Sequence, residues 1–258
     1  MIVSKNAYYV DVPKTGSSYV NNCFELMCNQ YDWINRSGQK TSNPTSRHGT
    51  IQYTNKEYDD KLVFVTIRNP WYYYVSKYIF ENKKNDASIS GFKSYIAGSA
   101  GQFTKILIES VDKKFMDGNP SQDQIKDWFE RDEIKFIGKK NLGDEMANLI
   151  EQHSDKFDLV ENWKDNIPKL RENNRHMALI PREGNKWSGQ PKYIKLGHNL
   201  KGNKYTHYYT DELANLIREK DRAIIETFGY EFTDSEYYDS IQNTVNSIEH
   251  KNQRDKWA

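Results

Sequence analysis

The 258-residue chain reads as an α/β protein, a single domain with a central, mostly parallel sheet flanked by helices. Three observations predict it. An apolar and aromatic run at residues 7–12 passes through a tight turn into a helical stripe. A second run, Leu62, Val63, Phe64, Val65, Thr66 and Ile67, is almost wholly apolar and leads into Pro70 and an aromatic helical pattern. A third, Ile134, Lys135, Phe136, Ile137 and Gly138, precedes a stripe of Leu142, Met146, Leu149 and Ile150. Strands alternating with helical patterns imply parallel pairing through helical crossovers. A strand without polar alternation is covered on both faces.

The first run carries the most chemistry. Pro13 stops a strand ladder, and Gly16 supplies a turn position that other residues fill poorly. Ser17 and Ser18 are candidate caps for a helix whose stripe is Val20, Cys23, Phe24, Met27 and Cys28, at helical spacing. A strand, a tight loop and a helix N-terminus make an anion site, because the first backbone N–H groups and the positive dipole end point at one spot. Lys14 adds a mobile point charge. The common phosphate loop places its lysine after the second glycine, whereas Lys14 precedes Gly16. A plain strand-to-helix turn with a surface lysine is the competing reading.

The second run ends in Arg68, Asn69, Pro70 and Trp71. Pro70 suits the first turn of a helix carrying Val75, Tyr78 and Ile79 inward. Arg68 at the strand's carboxyl end, with Ser76 about two turns up the helix, is placed to grip a second anion, since such ends are where open α/β sheets bind ligands. An arginine paired with a carboxylate beside an aromatic core helix is the alternative. Ser46, Arg47, His48, Gly49 and Thr50 lie in the long polar connection before this strand, and a lone histidine is more often structural than catalytic.

Bulk properties narrow the classes. A net charge of +1 provides no global field toward nucleic acid or membrane, and 14% aromatic residues argue against disorder. No run of apolar residues is long enough to span a bilayer. Met1 stands too close to the first strand for a signal peptide, so a cytoplasmic location is expected. Cys23 and Cys28, both in one apolar stripe, read as inert core thiols, and no metal-ligand spacing is visible.

Together these segments resemble the sulfotransferases that use 3′-phosphoadenosine 5′-phosphosulfate (PAPS). Pro13, Lys14, Thr15, Gly16, Ser17 and Ser18 are similar to that family's 5′-phosphosulfate loop. Arg68, Asn69, Pro70 and Trp71 through Ser76 resemble its 3′-phosphate motif. His48, Gly49 and Thr50 are similar to the His-Ala-Thr segment of its carbohydrate-type branch. Tyr208 to Glu212 and Phe228 to Phe232 resemble that branch's closing helix and Phe-Gly-Tyr end. The resemblance spans about residues 7–232 and is weakest in the middle. It implies a P-loop-like sulfotransferase fold over residues 1–232; beyond it, Ile241, Val245 and Ile248 on one side predict a helical tail at 233–258. It implies sulfuryl transfer from PAPS to a hydroxyl, on a saccharide or glycoconjugate, with 3′-phosphoadenosine 5′-phosphate (PAP) as product and no metal. Lys14 and His48 would be catalytic, His48 as base. Lys14, Thr15, Gly16, Ser17, Ser18, Arg68 and Ser76 would hold the cofactor, and Lys201 and Gly202 would cover the 3′-phosphate and adenine. Where the family carries a glutamate-containing turn after the third strand, this chain has Lys139, Lys140 and Asn141. A carboxylate role there is therefore in doubt.

The remaining stretches are read more coarsely. Residues 91–116 carry mixed helical patterning, and Asp117, Gly118, Asn119 and Pro120 form a turn. Residues 156–195 are polar without periodicity. Thr210 caps a closing helix with Asp211 and Glu212 in its first turn; its stripe runs Leu213, Leu216, Ile217, Ile224 and Phe228, and Gly229 ends it. Two rival classes stand beside the sulfotransferase. A nucleotide-dependent kinase would need a magnesium-holding carboxylate at a strand end, where this chain has Arg68. A non-catalytic nucleotide-binding module would keep the fold without turnover.

Overall fold

The computed structural model describes residues 1–35, 37–42, 60–82, 89–138, 141–172 and 205–232. Five strands form one sheet in the order β3-β1-β2-β4-β5: β1 (Ile2–Ser4), β2 (Ala7–Val10), β3 (Asp32–Trp33), β4 (Leu62–Thr66) and β5 (Ile134–Ile137). The three principal strands β2, β4 and β5 run parallel, while β1 pairs antiparallel with both β2 and β3. The α/β class, the single domain and the mostly parallel sheet expected from the sequence are thus present, with β1 and β3 as its antiparallel members.

Helices cover both faces, and the period-2 geometry of the strands assigns each residue to one of them. Tyr8, Val10, Val63, Val65, Ile134 and Phe136 face one layer. That layer is built from α2 (Pro70–Glu81), α3 (Ile89–Ser99), α4 (Gln102–Val111), α6 (Gln122–Phe129), α9 (Asp211–Lys220) and α10 (Arg222–Phe228), with the short α5 (Lys113–Asp117) alongside. Ile2, Ala7, Tyr9, Leu62, Phe64 and Ile137 face the other, made of α1 (Ser17–Met27), α7 (Leu142–Gln152) and α8 (Ile167–Glu172). β4 is buried along its whole length, as its uninterrupted apolar run requires. Cys23 and Cys28 lie in the second layer, where burial pushes the Cys28 thiol up to about 11.

Two expectations are corrected here. The closing helix is two helices, α9 and α10, divided at Asp221. The break follows from Asp221 itself, which is wholly buried. Its carboxylate accepts from the Tyr74 hydroxyl at 2.8 Å, the Gly101 N–H at 3.2 Å, and the Thr104 N–H and hydroxyl at 3.1 and 2.7 Å. A buried carboxylate without such donors would be expensive; burial still raises its pKa against their opposing pull. The polar stretch after α1 also contains a strand, β3, whose Trp33 indole donates to Asn21 Oδ1 at 2.9 Å. Thr210 caps α9 as expected, accepting from the Leu213 N–H, and Gly229 ends α10 with φ 65°. Among the described residues, no helix is long and apolar enough to cross a membrane. The tail at 233–258 lies outside them.

Candidate active site

Three segments lie at the carboxyl ends of the parallel strands: residues 11–16 after β2, 67–69 after β4, and Gly138 after β5, joined by Asn141 before α7. The first is locked from beneath by a chain of hydroxyls. Thr15 Oγ1 donates to the Val12 carbonyl at 2.8 Å and lies 2.6 Å from Thr66 Oγ1, which lies 2.8 Å from the Tyr9 hydroxyl. A hydroxyl has one proton. Thr15's goes to Val12, so Thr66 donates to Thr15 and Tyr9 donates to Thr66. Thr15 is only 3% exposed, and its hydroxyl has no proton left for an anion. A contribution from Thr15 to a ligand would come through its main chain.

The turn above this lock needs two unusual backbone conformations. Gly16 has φ 121° and Lys14, not a glycine, has φ 70°. Gly16 is the N-cap of α1, with no side-chain cap; the N–H groups of Tyr19 and Val20 both reach its carbonyl, at 2.9 and 3.2 Å. This corrects the expectation that Ser17 or Ser18 caps the helix. Their N–H groups precede the helical ladder, the position from which a helix offers donors to an anion. Ser17 is buried and Ser18 exposed.

Arg68 ties the second loop to the first. Its Nη1 donates to the Lys14 carbonyl at 3.1 Å, and its guanidinium lies 5.5 Å from the centre of the Tyr72 ring. The Lys14 ammonium lies 4.2 Å from the centre of the Phe80 ring. Tyr72, Ser76 and Phe80 are four residues apart along α2, hence one row on its surface. The two cations of the candidate site each rest on a ring of that row, with the half-buried Ser76 between. Asn69 caps α2 by accepting from the Trp71 N–H, and Pro70 occupies the first turn as expected.

The third loop brings a carboxylate that sequence reasoning did not assign. Glu145 accepts from the Gly138 N–H at 3.0 Å and the Asn141 N–H at 3.1 Å, closing the turn before α7. A Cβ at Gly138 would stand 2.8 Å from the Ile67 carbonyl oxygen, so this loop is pressed onto the chain just before Arg68. A signal was available: an acidic residue in the first turn of α7, four residues after its cap Asn141. The Tyr230 hydroxyl is enclosed near both charges; burial raises its pKa well above the usual value, Glu145 adds to this and Arg68 opposes it.

A cavity of about 480 Å³ opens elsewhere, along the outer edge of β5 between α7 and α10, and includes neither Lys14 nor Arg68. Of the three loops it touches only Glu145's end, and its lining mixes acidic Glu130, Asp132 and Glu145 with basic Arg131 and Lys135. The structure therefore brings together Lys14, Thr15, Gly16, Ser17, Ser18, Arg68 and Ser76. His48, Lys201 and Gly202 lie outside the described residues. Comparison with protein-family models, curated proteins and solved structures finds no match. Among the described residues, no group of three or more His, Cys, Asp or Glu side chains is placed to hold a metal ion. The arrangement offers two cations, a helix N-terminus and aromatic surfaces at one edge of a sheet. Such an arrangement of cations and helix N–H groups can attract anionic groups.

Proposed function

We propose that the protein is a PAPS-dependent sulfotransferase with the P-loop-like fold of that family, acting on a hydroxyl acceptor of saccharide type. One observation supports this most: the Arg68 bond to the Lys14 carbonyl, which joins the two anion grips of the sequence motifs at the ends of adjacent parallel strands. PAPS is anionic at two separated ends with an adenine between. The loop amides and Lys14 suit the phosphosulfate, and Arg68 with Ser76 suits the 3′-phosphate. Tyr205, three residues beyond Gly202, packs on Tyr72 with ring centres 3.8 Å apart, next to the arginine.

The reaction is an in-line displacement at sulfur. A base removes the acceptor proton, the acceptor oxygen bonds to sulfur, and the bond from sulfur to the bridging phosphate oxygen breaks, leaving PAP. Lys14 stabilises the charge that develops on the bridging oxygen. His48 is the proposed base on the resemblance, since an imidazole titrates near working pH.

Thermal denaturation with PAP against ATP and magnesium tests the donor, because a ligand bound only by the native state raises its stability. PAP is expected to raise the midpoint and ATP with magnesium to leave it nearly unchanged; the reverse would favour a kinase. Labelled PAPS offered with saccharide, phenol and peptide acceptors then tests turnover and acceptor class. Binding of PAP without transfer to any of them would favour a binding module.

A further inference from the structure

The Lys14 side chain is held in a way that neither sequence motif accounts for. Phe80 is 39% exposed, the one exposed large hydrophobic side chain among the described residues. It stands in the last turn of α2, outside the arginine-to-serine motif. Its ring face carries the Lys14 ammonium at 4.2 Å. The lysine is thereby fixed at three points. Its backbone is in the left-handed region, uncommon for a residue with a Cβ. Its carbonyl is bonded by Arg68. Its ammonium lies on a ring, where the negative face of the π system attracts a cation.

Resting on the donor reading above, we propose that Phe80 is a positioning residue for Lys14, holding the ammonium over its ring at the mouth of the phosphosulfate loop. A free lysine side chain samples many rotamers, and restricting them before the ligand arrives lowers the entropy lost on ordering it. The ring contact uses none of the three N–H donors of the ammonium, so the lysine can stay on the ring while those donors reach a doubly charged ligand. A carboxylate in Phe80's place would neutralise the lysine and repel the donor. An aromatic ring orients the charge without cancelling it.

The test reads the lysine directly before it reads activity. Reductive methylation with isotopically labelled formaldehyde places methyl groups on lysine nitrogens while keeping their charge, and Lys14→Arg identifies the Lys14 signal. Methyl groups above a ring face resonate upfield, so the Lys14 signal is expected apart from those of other lysines. Phe80→Leu, which keeps an apolar side chain at a half-exposed site, should return it to the common position; Phe80→Trp should keep it displaced. With PAPS, Phe80→Leu should lower turnover at saturating donor about two- to fivefold, the scale of a cation over an exposed ring, and Phe80→Trp should restore it. An undisplaced Lys14 signal in the wild-type protein, or equal turnover in the leucine and tryptophan variants, overturns the proposal. A displaced signal that Phe80→Leu abolishes, in a protein that fails to bind PAP, upholds the positioning and removes the donor reading.

Discussion

Replacing Gly16 by alanine separates the backbone requirement of the first loop from its contacts. At φ 121° and ψ 13° the residue occupies a region that side chains rarely adopt, and holding alanine there costs on the order of 1–3 kcal/mol. The added Cβ would also stand 2.6 Å from Leu142 Cδ2. That methyl ends a side chain able to turn, at about 0.5–1.5 kcal/mol for an off-rotamer position. A combined cost of about 1.5–4.5 kcal/mol lowers the midpoint of a protein this size by about 3–18 °C. Gly98→Ala is the control. Gly98 lies within α3, and a Cβ added there would meet nothing within 4 Å, so alanine should stabilise by about 0.5–1 kcal/mol. In a Leu142→Ala background, Gly16→Ala should keep its backbone cost and lose its steric share, which a double-mutant cycle in thermal or urea unfolding measures. Calorimetric titration with PAP completes the test, because a distorted loop should also bind the anion more weakly. A neutral Gly16→Ala would refute the strain argument. Full PAP affinity in a destabilised variant would refute the assignment of this loop to the anion.

Arg68→Ala should weaken PAP by about 1.5–3 kcal/mol, the range for hydrogen bonds to charged groups, and adenosine 5′-phosphosulfate much less; equal losses in titration calorimetry would remove Arg68 from the 3′-phosphate. Lys14→Ala should lower turnover more than PAPS affinity, since the bridging oxygen carries most charge in the transition state, and steady-state kinetics showing the opposite split would make it a binding residue only. His48→Ala should lower turnover by roughly 10²–10⁴ with the melting midpoint and PAP affinity kept; undiminished activity on an acceptor the wild type uses would move the base elsewhere. Tyr73 and Tyr74 are neighbours with opposite expectations in urea unfolding. Tyr74→Phe deprives the Asp221 carboxylate and the Phe103 N–H of a partner and should cost about 1.5–3 kcal/mol. The Tyr73 hydroxyl is buried and has no hydrogen-bond partner among the described residues, so Tyr73→Phe should be neutral or stabilising.

The principal strands and the helices that follow them were legible because each declares itself locally. β4 and α7 carry unbroken or periodic apolar runs, and Thr210 and Gly229 punctuate their helices in the usual chemical way. What escaped depends on contacts between distant residues. β1 and β3 are three and two residues long, too short for a period to show, and exist because each completes the ladder of a neighbour. The division at Asp221 reflects donors from Tyr74, Gly101 and Thr104, all far earlier in the chain. Gly16 takes the cap that two serines were expected to supply, because the turn needs its φ more than the helix needs a hydroxyl. Glu145 closes the third loop from within a helix: its first-turn place after Asn141 was a visible signal, but its bond from the Gly138 N–H shows only once β5 and α7 are packed together.

The bond between Arg68 and the Lys14 carbonyl bears on how the two grips act together. Each motif is plausible alone as an ordinary arginine or a surface lysine. Joined, they place two positive groups at adjacent strand ends, in a protein whose net charge is only +1. Taking a cation partly out of water costs energy, and each is here laid against an aromatic face of α2, which offsets part of that cost without supplying a negative charge. A carboxylate in the place of either ring would offset more of it and would repel an incoming phosphate ester. The rings orient the cations and leave their sign intact. The Glu145 carboxylate meanwhile accepts from the N–H groups of Gly138 and Asn141, shaping the third loop. Beneath the cations, the unusual backbone at Lys14 and Gly16 is sustained by the hydroxyl lock of Tyr9, Thr66 and Thr15. Strain held in place by a buried network, under cations oriented on aromatic faces, is the pattern of a preorganised binding loop.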